Sequence, residues 1–102
     1  MSVDYAKILQ PGSIQPLFKE PTLYNVVMHN DDFTPLEFVV HVLEVFFHME
    51  KIIATKIMEE IHKTGKAICG VYSKDIASTK MVLVMDHARR HEHPLLCSLE
   101  AS

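Results

Sequence analysis

Between Pro35 and His48 the chain reads PLEFVVHVLEVFFH, and only four of these fourteen residues are polar. Glu37, His41, Glu44 and His48 are spaced four, three and four apart, which predicts a helix with one narrow polar stripe. A surface helix needs an apolar arc of only roughly 100° to cover a core, and this one exceeds it. Such a helix is either enclosed on several sides or offers part of its apolar surface to a partner. In 102 residues, enough for one domain with a single core, full enclosure of so wide a face is hard to arrange.

The flanking segments say what surrounds it. LYNVVMHN alternates, with Tyr24, Val26 and Met28 on one side and Asn25, Val27 and His29 on the other, so it reads as a strand. TPLE reads as a helix start: Thr34 as the cap, Pro35 at the first helical position, and Glu37 three residues on as a capping box requires. A second helix is expected from about Lys51 to Thr64, with Ile53, Ala54, Ile57, Met58 and Ile61 on one face and Gly65 as its stop. KAICGVYS is a second strand. Ser73 can cap a third helix, KDIASTKMVLVMDHARRH, whose Ala77, Met81, Val84, Met85 and Ala88 form a core stripe. PLLCSLE closes the chain as a short strand. The order β-α-α-β-α-β predicts an α+β fold, a two-layer sandwich of a three-stranded antiparallel sheet and three helices. Residues 1–21 hold three of the five prolines with Gly12 and Ser13, and read as a flexible tail before a domain over 22–102.

Composition removes several classes of function. A net charge of −3 gives no electrostatic case for nucleic acid. No run approaches the ~20 apolar residues of a membrane span, and MSVDYAKILQPGS has no basic region followed by an apolar stretch, so a cytoplasmic location is expected. Cys69 and Cys97 are solitary, and two buried reduced thiols are the economical reading. His87, His91 and His93 invite a metal reading, but neither cysteine has a partner at ligand spacing, so no metal and no cofactor are expected.

The loop Asn30-Asp31-Asp32 stands between the first strand and the wide apolar helix. Taken alone, NDD is most often a solvated turn, and Met58 with Ile61 is most often core. Together with YNVVMHNDDFTPLEFVVHVL, GKAICGVY and EHPLLCSLE, however, the sequence resembles the ClpS family, adaptors of the bacterial ATP-dependent Clp protease. The similarity runs from about Thr22 to Glu100, with NDDFTP, GKAICGV and EHPLLC in order and at the right spacing.

The resemblance implies a fold of three strands and three helices, shared with the C-terminal domain of a ribosomal stalk protein. It also implies an activity: binding of substrates whose first residue is Phe, Tyr, Trp or Leu, and their transfer to the ClpA unfoldase for degradation by ClpP. Carried over by position, contacts to the substrate's α-amino group fall on Asn30, Asp31 and His62. The side-chain pocket falls on Asp32, Thr34, Pro35, Leu36, Val39, Met58, Ile61 and Leu95. Leu36 stands where many members carry Met, which implies a stiffer gate at the pocket mouth. Docking to the N-terminal domain of the unfoldase falls on Asp75, where many members carry Glu, and on Lys80. The tail resembles the family's extension that the unfoldase engages.

The residue types suit that chemistry. An α-ammonium carries a positive charge and three donors; Asn30 offers an amide oxygen, Asp31 a negative charge, and neutral His62 an acceptor nitrogen. On the first helix Leu36, Val39 and Leu43 share a face, and on the second Met58, Ile61 and His62 do, so two such faces form an apolar cleft with one polar end. The alternative from another class is a small acid–base hydrolase or aminopeptidase using Asp31, Asp32 and His62. Against it, the sequence has no phosphate loop, nucleophile elbow or metal-ligand motif. A ribosome-associated interaction domain is a third reading, and rests on fold kinship alone.

Overall fold

The computed structural model describes residues 22–102; the expected tail, residues 1–21, lies outside the described residues. In chain order the elements are β1 (Leu23–His29), α1 (Leu36–Phe47), α2 (Lys51–Thr64), β2 (Lys66–Ser73), α3 (Lys74–Arg90) and β3 (Leu96–Ala101). The sheet order is β2-β1-β3, with both neighbours antiparallel to β1. The β-α-α-β-α-β order and the two-layer α+β sandwich expected from the sequence are those of the molecule.

The core forms between one face of the sheet and the helices. Val26 and Met28 of β1 meet Val39, Val42 and Leu43 of α1, Ala54 and Ile61 of α2, and Ala77, Val84 and Ala88 of α3. Small residues on α3 let that helix lie close to the strands. The wide apolar surface of α1 resolves into both possibilities: Val39, Val40, Val42, Leu43 and Phe47 are buried, whereas Leu36 and Val45 are 42% and 51% exposed. On α2 the expected core face is narrower than its pattern, since Ile53 is exposed and Ala54 and Ile61 carry the burial.

Val27 points away from the helices by strand alternation yet is buried to 1% exposure. Lys66 of β2 and Glu100 of β3 explain this: their side chains pair at 3.1 Å across the face on which the central strand carries Val27. Cys69 and Cys97 are free and buried, and burial pushes both thiols up to about 12. They remain protonated at neutral pH and act as small apolar packing groups.

The capping box expected at TPLE does not form. The helix starts at Leu36 with Pro35 as its cap residue, and no side chain caps it. The Thr34 hydroxyl donates instead to the Asp31 carboxylate at 2.7 Å. A charged acceptor gives the stronger bond, so the hydroxyl turns back into the loop. Ser73 is the cap residue of α3, also without a side-chain cap bond.

Gly65 ends α2 with φ +98°, its N–H donating to the Ile61 carbonyl at 2.9 Å. Its own carbonyl accepts the Asn30 N–H at 2.8 Å, so the same residue fixes the loop after β1 against the end of α2. An added Cβ would meet nothing within 4 Å, and the penalty is purely conformational. Gly65→Ala is expected to lower stability by about 1 kcal/mol in urea unfolding, with Gly65→Asn costing less because Asn tolerates the left-handed region.

Candidate functional site

The loop 30–34 is built round one carboxylate. Asp31 Oδ1 accepts the N–H groups of Phe33 at 2.8 Å and Thr34 at 2.7 Å, and Oδ2 accepts the Thr34 hydroxyl at 2.7 Å. Burial acts to raise the Asp31 carboxyl. The Thr34 hydroxyl, the two N–H groups and the charge of His93 outweigh that and hold it below the usual carboxylate range. A carboxylate has about four acceptor directions. Three are taken inside the loop, which leaves one, on Oδ2, for a donor from outside.

That loop forms one end of a cleft lined by His29, Asn30, Asp31, Thr34, Leu36, Val39, Met58, Ile61 and Leu95, with about 230 Å³ of empty space, mouth included. Four elements converge here. β1 ends in the polar loop, the first turns of α1 present Leu36 and Val39, the last turns of α2 present Met58 and Ile61, and Leu95 precedes β3. Val39, Ile61 and Leu95 are buried, Met58 is half-buried, and Leu36 is exposed at the mouth. The result is an apolar slot with a negative charge and a carboxamide at one end. It can hold a molecule that carries a cation or hydrogen-bond donors beside a hydrophobic group.

The structure thus gathers Asn30, Asp31, Thr34, Leu36, Val39, Met58, Ile61 and Leu95 round one space. It does not bring Asp32, Pro35 or His62 onto its lining. Pro35 is half-buried as the α1 cap residue, Asp32 is exposed in the loop, and His62 is exposed in the last turn of α2, beside Ile61. His29 lines the cleft although strand alternation placed it on the outer face, where its Nε2 shares a 2.7 Å hydrogen bond with Ser98 Oγ. Its adjacency to Asn30 was the available signal.

Asp75 and Lys80 lie apart from this cleft, on α3. Asp75 is exposed in the first turn, and Lys80 borders a second concavity with Val45, Phe46, His48, Ile76, Thr79 and Leu83. The Lys80 ammonium donates to the Phe46 carbonyl at 2.6 Å and lies 5.7 Å from the Tyr72 ring centroid and 5.9 Å from that of Phe47. It therefore neutralises the carbonyl end of α1.

This architecture is shared with known proteins. The sequence profile described as ATP-dependent Clp protease adaptor protein ClpS matches residues 19–98. The chain belongs to the ClpS family. An ATP-dependent Clp protease adapter protein ClpS from Methylococcus capsulatus is 55% identical over 86 residues, covering 84% of this chain and 81% of that protein. The ClpS of Ruegeria pomeroyi is 57% identical over 86 residues, covering 84% and 76%. In structure, Agrobacterium tumefaciens ClpS2 bound to L-phenylalaninamide superposes with a TM-score of 0.79 at 36% identity, covering 81% of this chain and all of that one. The ClpS fold is therefore present here, and the cleft lies where the loop after β1, the start of α1, the end of α2 and Leu95 before β3 come together.

Proposed function

We propose that this chain binds proteins that begin with Phe, Tyr, Trp or Leu, through the free α-amino group and the first side chain, and passes them to a ClpA-type AAA+ unfoldase for degradation by ClpP. The observation that carries the reading is the single open acceptor direction on Asp31 Oδ2 at the polar end of an otherwise apolar cleft. The ligand of the A. tumefaciens relative, L-phenylalaninamide, offers a free α-amino group, an aromatic side chain and an amide where the next residue would follow. The α-ammonium meets Asp31, Asn30 and, from the end of α2, His62. The side chain enters between Leu36, Val39, Met58, Ile61 and Leu95, with Thr34 closing the loop side and Pro35 and Asp32 at the rim. Burying a Phe or Leu contributes about 1.5–3 kcal/mol. A charged first residue loses hydration there without a partner.

An adaptor fits this site better than a hydrolase. Asp31 is held ionised by three hydrogen bonds, which suits a fixed negative charge and not a group that takes up and returns protons. The unfoldase side of the reading rests on Asp75 and Lys80 of α3 and on residues 1–21. Among the described residues no helix is long and apolar enough to cross a membrane.

Peptides that differ only in their first residue, followed by mass spectrometry, test the reading. A Phe-starting peptide is expected to bind at least about tenfold more tightly than an Asp-starting one and to be recovered intact. Shortened peptide means an aminopeptidase, and equal binding removes the side-chain pocket. Deleting residues 1–21 is expected to spare this binding and to abolish accelerated degradation of a Phe-starting protein by the unfoldase–protease. Undiminished degradation overturns the role of that segment.

A further inference from the structure

Four histidines from three parts of the chain surround one phenylalanine. The Phe38 ring of α1 lies 5.5 Å from His87, nearly parallel at 15°, 5.5 Å from His91, 6.2 Å from His41 and 4.5 Å edge-on from His93, centroid to centroid. His87 is the hub: it also lies 4.6 Å from His91, 5.6 Å from His41 and 5.2 Å from the Phe46 ring. Its Nε2 is buried and has no hydrogen-bond partner among the described residues. No group of three or more His, Cys, Asp or Glu among the described residues is arranged to hold a metal ion, so the cluster is one of packed rings.

Within the cluster, His87 is the ring that the neutral state suits. A proton on one imidazole places a full charge against two other histidines at about 5 Å, and on His87 it demands a partner that the buried nitrogen lacks. The same rings join α1 to the C-terminal end of α3 and to the turn 91–93, which leads through Pro94 into Leu95, a wall of the cleft. We propose that this cluster is an acid-sensitive clamp: neutral, it holds α1 against the end of α3 and the cleft-wall turn, and proton uptake in mild acid releases it.

The groups acting on His87 come from both helices. Its burial and then the neighbouring His91, His41 and Arg90 lower its proton affinity, and Asp86 opposes them. Asp86 is itself paired with Arg90 at 3.0 Å, which weakens that opposition. His93, edge-on to Phe38, feels the charge of Asp31. Because the folded state holds His87 below its ordinary 6.5, the unfolded chain binds more protons, and stability is complete above 6.5 and lost as pH falls beneath it. Asp31 contributes in a separate window, below 3.8.

The test is urea unfolding of the full chain from pH 7.5 to 5.5, for the native sequence and for His87→Phe, which keeps an aromatic ring against Phe38 and cannot take a proton. One linked proton lowers the folding constant by up to about tenfold per pH unit below 6.5 in the native sequence. His87→Phe is expected to lose most of that dependence; parallel profiles overturn the clamp. Titration of the His87 ring by NMR in the native protein needs no variant: His87 is expected to take its proton at lower pH than in the urea-unfolded chain. Equal or higher values overturn the proposal. Neither measurement uses a peptide, so the outcome is independent of the function proposed above.

Discussion

A Phe-starting peptide loses at least about a hundredfold in affinity for this protein when its α-amino group is acetylated. Hydrogen bonds to a charged group contribute about 1.5–3 kcal/mol each, and 1.4 kcal/mol is a factor of ten. Acetylation removes the charge and replaces three donors by one. The open direction on Asp31 Oδ2 and the Asn30 amide then lose their partners in a cleft with little room for compensating water. The cost is therefore the lost bonds together with the desolvation of the acceptors left behind. Fluorescence anisotropy with paired free and acetylated peptides measures it. An acetylated peptide that binds within threefold of the free one removes the amino-terminal reading and leaves a plain hydrophobic groove. The apolar term is untouched by the cap, so a first-residue preference that persisted after acetylation would identify such a groove directly.

The elements of this fold were legible because their apolar periods change cleanly. Val26 and Met28 alternate, Ala77, Val84 and Ala88 recur at helical spacing, and Gly65 marks a left-handed stop that the structure uses. The excess apolar surface of α1 was legible as an excess, and the structure divides it between core, the Leu36 edge of the cleft and the exposed Val45. What was hidden depended on partners distant in sequence or on competition within a loop. Nothing local to Val27 shows its burial, which needs Lys66 and Glu100, 34 residues apart, to meet over the central strand. The one-turn spacing of His87 and His91 was visible, but not that Phe38 and His41 would come to meet them. Thr34 fits a capping box by sequence, and only the geometry shows Asp31 winning its hydroxyl. His29 and Lys80 likewise have bonding roles, to Ser98 and to the Phe46 carbonyl, that no spacing rule predicts.

The competition for Thr34 bears on the second large effect, that of Asp31→Asn. Asn keeps one side-chain oxygen, which can still accept the N–H groups of Phe33 and Thr34, so the loop retains two of its three internal bonds. Its NH2 group replaces the oxygen that accepts the Thr34 hydroxyl and carries the open direction, and a donor there faces the ligand's ammonium. Loss of the charge and reversal of the hydrogen bond act together, and binding of a Phe-starting peptide is expected to fall by about a hundredfold. Stability is expected to fall by only about 1 kcal/mol, because the replaced bond is short-range and the core does not change. Thr34→Val is the companion variant: it removes the hydroxyl but leaves the carboxylate, so a second direction on Oδ2 opens and binding is expected to change less than tenfold. Calorimetric affinities and urea unfolding on both variants separate the two roles of the loop. If Asp31→Asn binds the peptide as the native protein does, the ammonium is not held by this carboxylate, and Asp31 serves the loop alone.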